Sequence, residues 1–197
     1  MYDRGERRAG TVGKELPFVE CKISIPSNSE NESSQEDMQS DNAITGELLV
    51  RGPTLFKEYI GKPKETAESF DSEGFFKTGD TVRFEEGIYT ILGRSSVDII
   101  KMGGYKLSAL EIENCLLTHQ AISEVAILGL HDEKYGEIVA ALVVLENHAL
   151  DLKELQAWCK ERLASYKIPS QLRVTERIPR NAMGKVNKAS LKSFFES

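Results

Sequence analysis

Four short stretches carry residue types whose spacing can do chemistry: Thr78-Gly79-Asp80, Leu92-Gly93-Arg94, Gly103-Gly104 and Gly184-Lys185. Asp80 falls where one strand-like piece ends and a hairpin begins, so its carboxylate can face a ligand at a sheet edge. A carboxylate accepts two hydrogen bonds from a vicinal diol, the pattern a ribose presents. An Asp after Thr-Gly can equally satisfy its own backbone in a turn. Arg94 follows by a hairpin's length and returns beside Asp80 across antiparallel strands. There its guanidinium can reach a ribose or phosphate oxygen, or form an ion pair with Asp80.

Ile99-Ile100-Lys101-Met102-Gly103-Gly104-Tyr105-Lys106 joins an apolar strand to a glycine pair flanked by cations. Without Cβ atoms, Gly103 and Gly104 let a thin ligand arm pass close to the backbone; a plain hairpin with two solvated lysines is the alternative. Residues 178–188 form a polar loop in which Gly184 frees the backbone beside Lys185. A lysine there can swing over a growing negative charge, or can be an ordinary loop lysine.

These residues need elements to hold them. Residues 12–25 alternate around Pro17 and predict a short strand, while residues 26–42 are nearly all Ser, Asn, Glu, Gln and Asp and read as a solvent loop. Residues 46–52 predict a strand, and Phe56, Tyr59 and Ile60 suggest a helix that residues 66–70 continue. Asp71-Ser72-Glu73-Gly74 is a turn, and strands over 81–84 and 88–92 are joined at Glu85-Glu86-Gly87. Ser108 caps a helix over 109–118, with Glu111 as its capping-box partner and Leu110, Ile112, Leu116 and Leu117 as a buried stripe. Strands follow over 125–130 and 138–145, a helix over 151–163, a short strand over 172–174 and a last helix over 188–195. The fold class is α+β, with a boundary near residues 94–98.

The 197 residues carry a net charge of -6, much of it in residues 27–37, and no Lys/Arg block dominates, which argues against nucleic acid as a partner. Cys21, Cys115 and Cys159 stand alone, without the C-x-x-C spacing of a zinc site or a disulfide framework. No run of about 18 apolar residues predicts a membrane span, and residues 1–6 lack the apolar stretch of a secretory signal.

In this order, the segments resemble the adenylate-forming superfamily of acyl-CoA synthetases, luciferases and peptide-synthetase adenylation domains. The resemblance rests on Gly46-Glu47-Leu48 with Val50-Arg51-Gly52-Pro53, on Phe76-Lys77-Thr78-Gly79-Asp80, on Gly93-Arg94 through Gly103-Gly104-Tyr105-Lys106 with Glu111-Ile112-Glu113, and on Pro179-Arg180-Asn181 with Gly184-Lys185. It covers almost the whole chain as a C-terminal portion. Residues 1–94 would be the β-rich end of a large adenylation domain with an insertion at 26–45, residues 95–98 a hinge, and residues 99–197 a mobile lid.

The resemblance implies a two-step reaction. ATP and a carboxylate give an acyl-adenylate and pyrophosphate, and CoA then takes the acyl group and releases AMP. Thr78, Asp80 and Arg94 would hold the nucleotide. Lys185 would bridge carboxylate and α-phosphate, and Gly103, Gly104, Tyr105 and Lys106 would face CoA. The usual hinge position falls among Ser95, Ser96, Val97 and Asp98, where this sequence carries one residue more than many relatives. Mg2+ would come with ATP, and no ligand residues are assigned to it.

Residues 96–111 are similar to the malonyl-CoA synthetases of animal mitochondria, which implies malonate or a related short acid and a mitochondrial matrix location without a targeting segment in these residues. A fatty-acyl-CoA ligase of the same family and a non-catalytic nucleotide- or CoA-binding module are the alternatives. No Ser/Thr/Gly-rich phosphate loop ending in lysine is present, so these residues are expected to need the family's upstream domain, with its acyl pocket, for turnover.

Overall fold

The computed structural model describes Arg8 and residues 10–25, 43–146 and 149–196; most of the polar stretch 26–45 lies outside them. The chain divides into two compact units, Met1–Ser95 and Ser96–Ser197. Both fit the α+β expectation, with antiparallel sheets carrying few helices.

The first unit is a four-stranded antiparallel sheet in the order β1-β2-β3-β4, built from β1 (Glu20–Ser24), β2 (Ile44–Arg51), β3 (Phe76–Glu85) and β4 (Ile88–Arg94). Glu86 and Gly87 both take positive φ, 51° and 78°, as a two-residue hairpin turn requires, and they join β3 to β4. Asp71 forms the expected turn, its Oδ1 accepting from the backbone N–H of Glu73 and Phe75 at 2.9 and 2.8 Å. These bonds hold its carboxyl below the usual carboxylate range, the Phe75 N–H contributing most.

Phe56, Tyr59 and Ile60 do not start a helix: α1 covers only Pro63–Ser69. Phe56 instead meets the rings of Tyr59, Phe70 and Phe76, with centroids 4.7, 5.7 and 5.2 Å away. An i, i+3 aromatic spacing served a cluster rather than a helical stripe.

In the second unit β5 (Ile99–Met102) and β6 (Tyr105–Ser108) form a hairpin, α2 covers Ala109–Leu116, and β7 (Ile122–Asp132) and β8 (Gly136–Leu145) form a long antiparallel ribbon. After α3 (Leu152–Cys159), β9 (Gln171–Val174) runs parallel to β8, giving β6-β5-β8-β7 with β9 beside β8. α4 (Lys188–Leu191) and a 3-10 turn over Lys192–Phe195 end the chain.

Both faces of the β7–β8 ribbon are covered. Ile127, Val139, Ala141 and Val143 pack with Ile112, Leu116, Leu155 and Cys159 from α2 and α3. Ala126, Leu128 and Leu142 pack with Ile178 and Leu191 from the C-terminal segment. This explains why both strands read as near-continuous apolar runs, since alternation appears only where one face meets water.

The helices are shorter than their periodicity suggested. α2 stops at Leu116, and Leu117 is 49% exposed. Ser108 Oγ accepts from the N–H of Glu111 at 3.1 Å, while the Glu111 carboxylate pairs with Lys167 at 2.7 Å. The complete capping box forms at α3, between Asp151 and Glu154.

Candidate functional site

Asp80 does not lie at a sheet edge. β3 is an inner strand, and Thr78-Gly79-Asp80 is the stretch of it that bulges opposite Leu48, between the pairs Glu47–Thr81 and Leu49–Lys77; a second irregularity follows between Thr81 and Val82. The unpaired groups find local partners. Thr78 Oγ1 donates to Leu48 O at 2.7 Å and accepts from the N–H of Asp80 at 3.1 Å, and the Gly79 N–H donates to Glu47 Oε1 at 3.1 Å. Gly79 sits at φ 74°, a conformation that glycine adopts without strain. Bulges re-aim side chains, and here the re-aimed residue is Asp80.

Asp80 is the register partner of Arg94, and Arg94 Nε meets Asp80 Oδ1 at 2.7 Å. The side chains are 26% and 60% exposed, so the pair stands open to solvent. The N–H of Ser95 closes the arrangement by donating to Gly79 O at 3.0 Å.

In the second unit Gly103 and Gly104 occupy the β5–β6 turn with φ of 57° and 91°, conformations that disfavour a side chain. Gly103, Gly104, Tyr105 and Lys106 are all exposed, and the Tyr105 ring stacks on Tyr166 at 4.6 Å. The turn is pinned from beneath. Gly103 N–H donates to Tyr135 O at 2.8 Å, and Lys101 N–H donates to Glu137 Oε2 at 2.7 Å. Glu137 has room only because residue 129 is glycine: a Cβ there would lie 2.9 Å from its carboxyl carbon.

The Lys185 loop is less free than its composition suggested. Asn181 Oδ1 accepts from the N–H groups of Met183 and Lys185 at 3.0 and 2.9 Å. Asn181 N–H donates to Lys185 O, and Gly184 N–H to Asn181 O, both at 2.8 Å. Arg180 donates to Gly184 O and pairs with Glu124 on β7 at 2.7 Å. A tight turn therefore carries an exposed Lys185 at its end.

Ser95, Ser96 and Val97 are exposed, whereas Asp98 is buried at 9% exposure and its carbonyl accepts from Ala109 N–H at 2.8 Å. Sequence reasoning missed Glu137, the supporting role of Asn181, and Lys188, which pairs with both Asp98 and Glu113. Gly129 inside an apolar strand was the available signal for Glu137, since such glycines mark close approaches.

Among the described residues no group of three His, Cys, Asp or Glu side chains could hold a metal, and no helix is long and apolar enough to cross a membrane.

Residues 111–185 match the family described as the AMP-binding enzyme C-terminal domain. The chain is 49% identical over 206 residues to a malonate–CoA ligase of Arabidopsis thaliana, covering 98% of this chain and 32% of that protein. It is 46% identical over 198 residues to a mitochondrial malonate–CoA ligase of Homo sapiens, covering 94% and 34%. The chain thus spans about a third of the length of these relatives. Among solved structures, ATP-bound MatB from Rhodopseudomonas palustris superposes with a TM-score of 0.82 at 30% identity, over 98% of this chain and 37% of that one. An AMP complex of o-succinylbenzoate CoA synthetase from Bacillus subtilis gives 0.79 at 34% identity, over 94% and 36%.

Proposed function

We propose that this chain, whose residues 111–185 match the family described as the AMP-binding enzyme C-terminal domain, is the C-terminal part of an adenylate-forming, AMP-forming acid–CoA ligase whose carboxylate is malonate. The observation that carries the chemistry is the Lys185 turn, a cation held on a backbone closed by Asn181. Stabilising a charge that grows only in the transition state requires such a preorganised group.

In the first step a malonate oxygen attacks the α-phosphorus of ATP, the bond to pyrophosphate breaks, and malonyl-adenylate forms. Lys185 bridges the carboxylate and the α-phosphate. Asp80 receives the ribose diol: a carboxylate has about four lone-pair sites, so pairing with Arg94 leaves acceptors to spare. Arg94 supports the same nucleotide, and Thr78 fixes the bulge. Mg2+ enters with ATP as part of that substrate.

In the second step the CoA sulfur attacks the acyl carbonyl and AMP leaves. The pantetheine arm passes the Gly103-Gly104 turn, flanked by Tyr105 and Lys106. We assign residues 1–94 to the end of a large adenylation domain, 99–197 to a lid, and the hinge to Ser95, Ser96, Val97 and Asp98. Rotation there withdraws Lys185 and presents the glycine turn. The partners are malonate, ATP, CoA and an N-terminal adenylation domain, and the mitochondrial relatives support a place in the mitochondrial matrix.

Half-reactions test this in the full-length ligase. Lys185→Ala should lower malonate-dependent ATP–pyrophosphate exchange by about 100-fold or more, the scale of losing one transition-state partner, and largely spare transfer from preformed malonyl-adenylate. Equal losses in both would overturn the role given to Lys185. Greater activity with long-chain fatty acids than with malonate would overturn the substrate.

A further inference from the structure

Lys188 lies three residues beyond Lys185, at the first position of α4. Its Nζ reaches Asp98 Oδ1 at 2.6 Å and Glu113 Oε1 at 2.8 Å. All three side chains are only 12–14% exposed, the least exposed ion pairs found among the described residues. By distance these are firm ion pairs, although the ammonium's angles miss ideal hydrogen-bond geometry. The Glu113 carboxylate is itself fixed, since the same Oε1 accepts from Ile127 N–H on β7 at 2.8 Å.

Burying charges costs desolvation, so such a cluster is a poor device for stability alone; well-packed apolar residues of similar volume often serve as well or better. What it supplies is a defined geometry, and its location says for what. Asp98 is where the exposed stretch Ser95–Val97 gives way to buried chain, Glu113 is on α2, and Lys188 is at one foot of the turn bearing Lys185. The other foot is held by Arg180 on Glu124.

We propose that Lys188 is a positioning residue: by joining Asp98 to Glu113 it seats the Lys185 turn for adenylation and ends the hinge at Val97, because Asp98 moves as part of the second unit. This rests on reading Lys185 as the adenylation lysine, and it narrows the hinge to Ser95, Ser96 and Val97. Lys188 touches no reacting atom in this scheme.

The test compares Lys188→Met, Lys188→Arg and Lys185→Ala in the full-length ligase, with both half-reactions measured, and follows backbone amide exchange of residues 181–187 in this chain. Lys188→Met should lower ATP–pyrophosphate exchange at least ~10-fold, spare transfer from preformed acyl-adenylate, and speed amide exchange at Gly184 and Lys185 by about 10-fold as the turn opens locally. Lys188→Arg should recover most of the pyrophosphate exchange. Unchanged pyrophosphate exchange, or losses in both half-reactions with a collapse of protection throughout residues 96–197, would overturn the proposal. If Lys188→Met does not fold, Asp98→Asn removes the charge of one partner at nearly constant size, with the same outcomes deciding. Should Lys185→Ala show no selective loss, the adenylation reading falls, while amide exchange at the turn still decides whether Lys188 seats it.

Discussion

Asp80 and Arg94 show how little a residue's type says until its strand register is known. Their 2.7 Å contact is exposed, and exposed pairs contribute only about 0–1 kcal/mol to stability, so folding alone gives weak reason for it. On the nucleotide role proposed for Asp80, Asp80→Asn in the full-length ligase should leave the melting temperature nearly unchanged while weakening AMP binding about 10- to 100-fold, as expected for losing hydrogen bonds to a charged acceptor. Isothermal titration with AMP checks the loss of affinity and differential scanning fluorimetry the unchanged melting temperature. Cys159 makes a prediction of another kind. Burial in the apolar cluster pushes its thiol up from the ordinary 9.0 to about 11. The folded state holds the proton more tightly, so the full contribution is present below pH 9 and is lost as pH rises from 9 towards 11. A urea titration of residues 96–197 should show stability falling over that window, and Cys159→Ser should flatten the fall.

At the scale of elements, the sequence showed most strands but not their ends or their irregularities. β7 and β8 were visible as apolar runs because both faces are covered; their polar ends, Ile122-Ser123-Glu124 and Gly136-Glu137, were not, since pairing there is decided by the partner strand. Thr78-Gly79-Asp80 was recognisable as a motif, yet its place inside an inner strand was hidden, because a bulge is a property of two strands and not of one. Leu117 kept the helical period of α2 while pointing into solvent beyond the helix end. Glu137 and Lys188 looked like ordinary surface charges, and only tertiary contacts reveal their partners. The cap of α3 is the clearest local signal: Asp151 and Glu154 satisfy each other's backbone N–H at 2.8 and 3.1 Å. Asp151→Ala should destabilise the second unit by about 1 kcal/mol, measurable by chemical denaturation.

At the scale of the molecule, the C-terminal segment does two jobs. It carries Lys185, and through Ile178 and Leu191 it covers Ala126, Leu128 and Leu142 on one face of the β7–β8 ribbon. The ribbon can form early, because its strands are joined by a short turn and their contacts are local in sequence. Its second face must wait for residues near the end of the chain. During synthesis the ribbon should therefore pass through an interval in which one apolar face is bare, the situation in which nascent chains become sticky and are handled by chaperones. A chain ending at residue 176 should keep β7–β8 protection yet bind a hydrophobic dye and aggregate at micromolar concentration, whereas the chain through residue 196 should not. The timing of folding and the placement of Lys185 are thereby tied together: the lysine turn is set in place by the same late docking step that makes the domain safe from self-association.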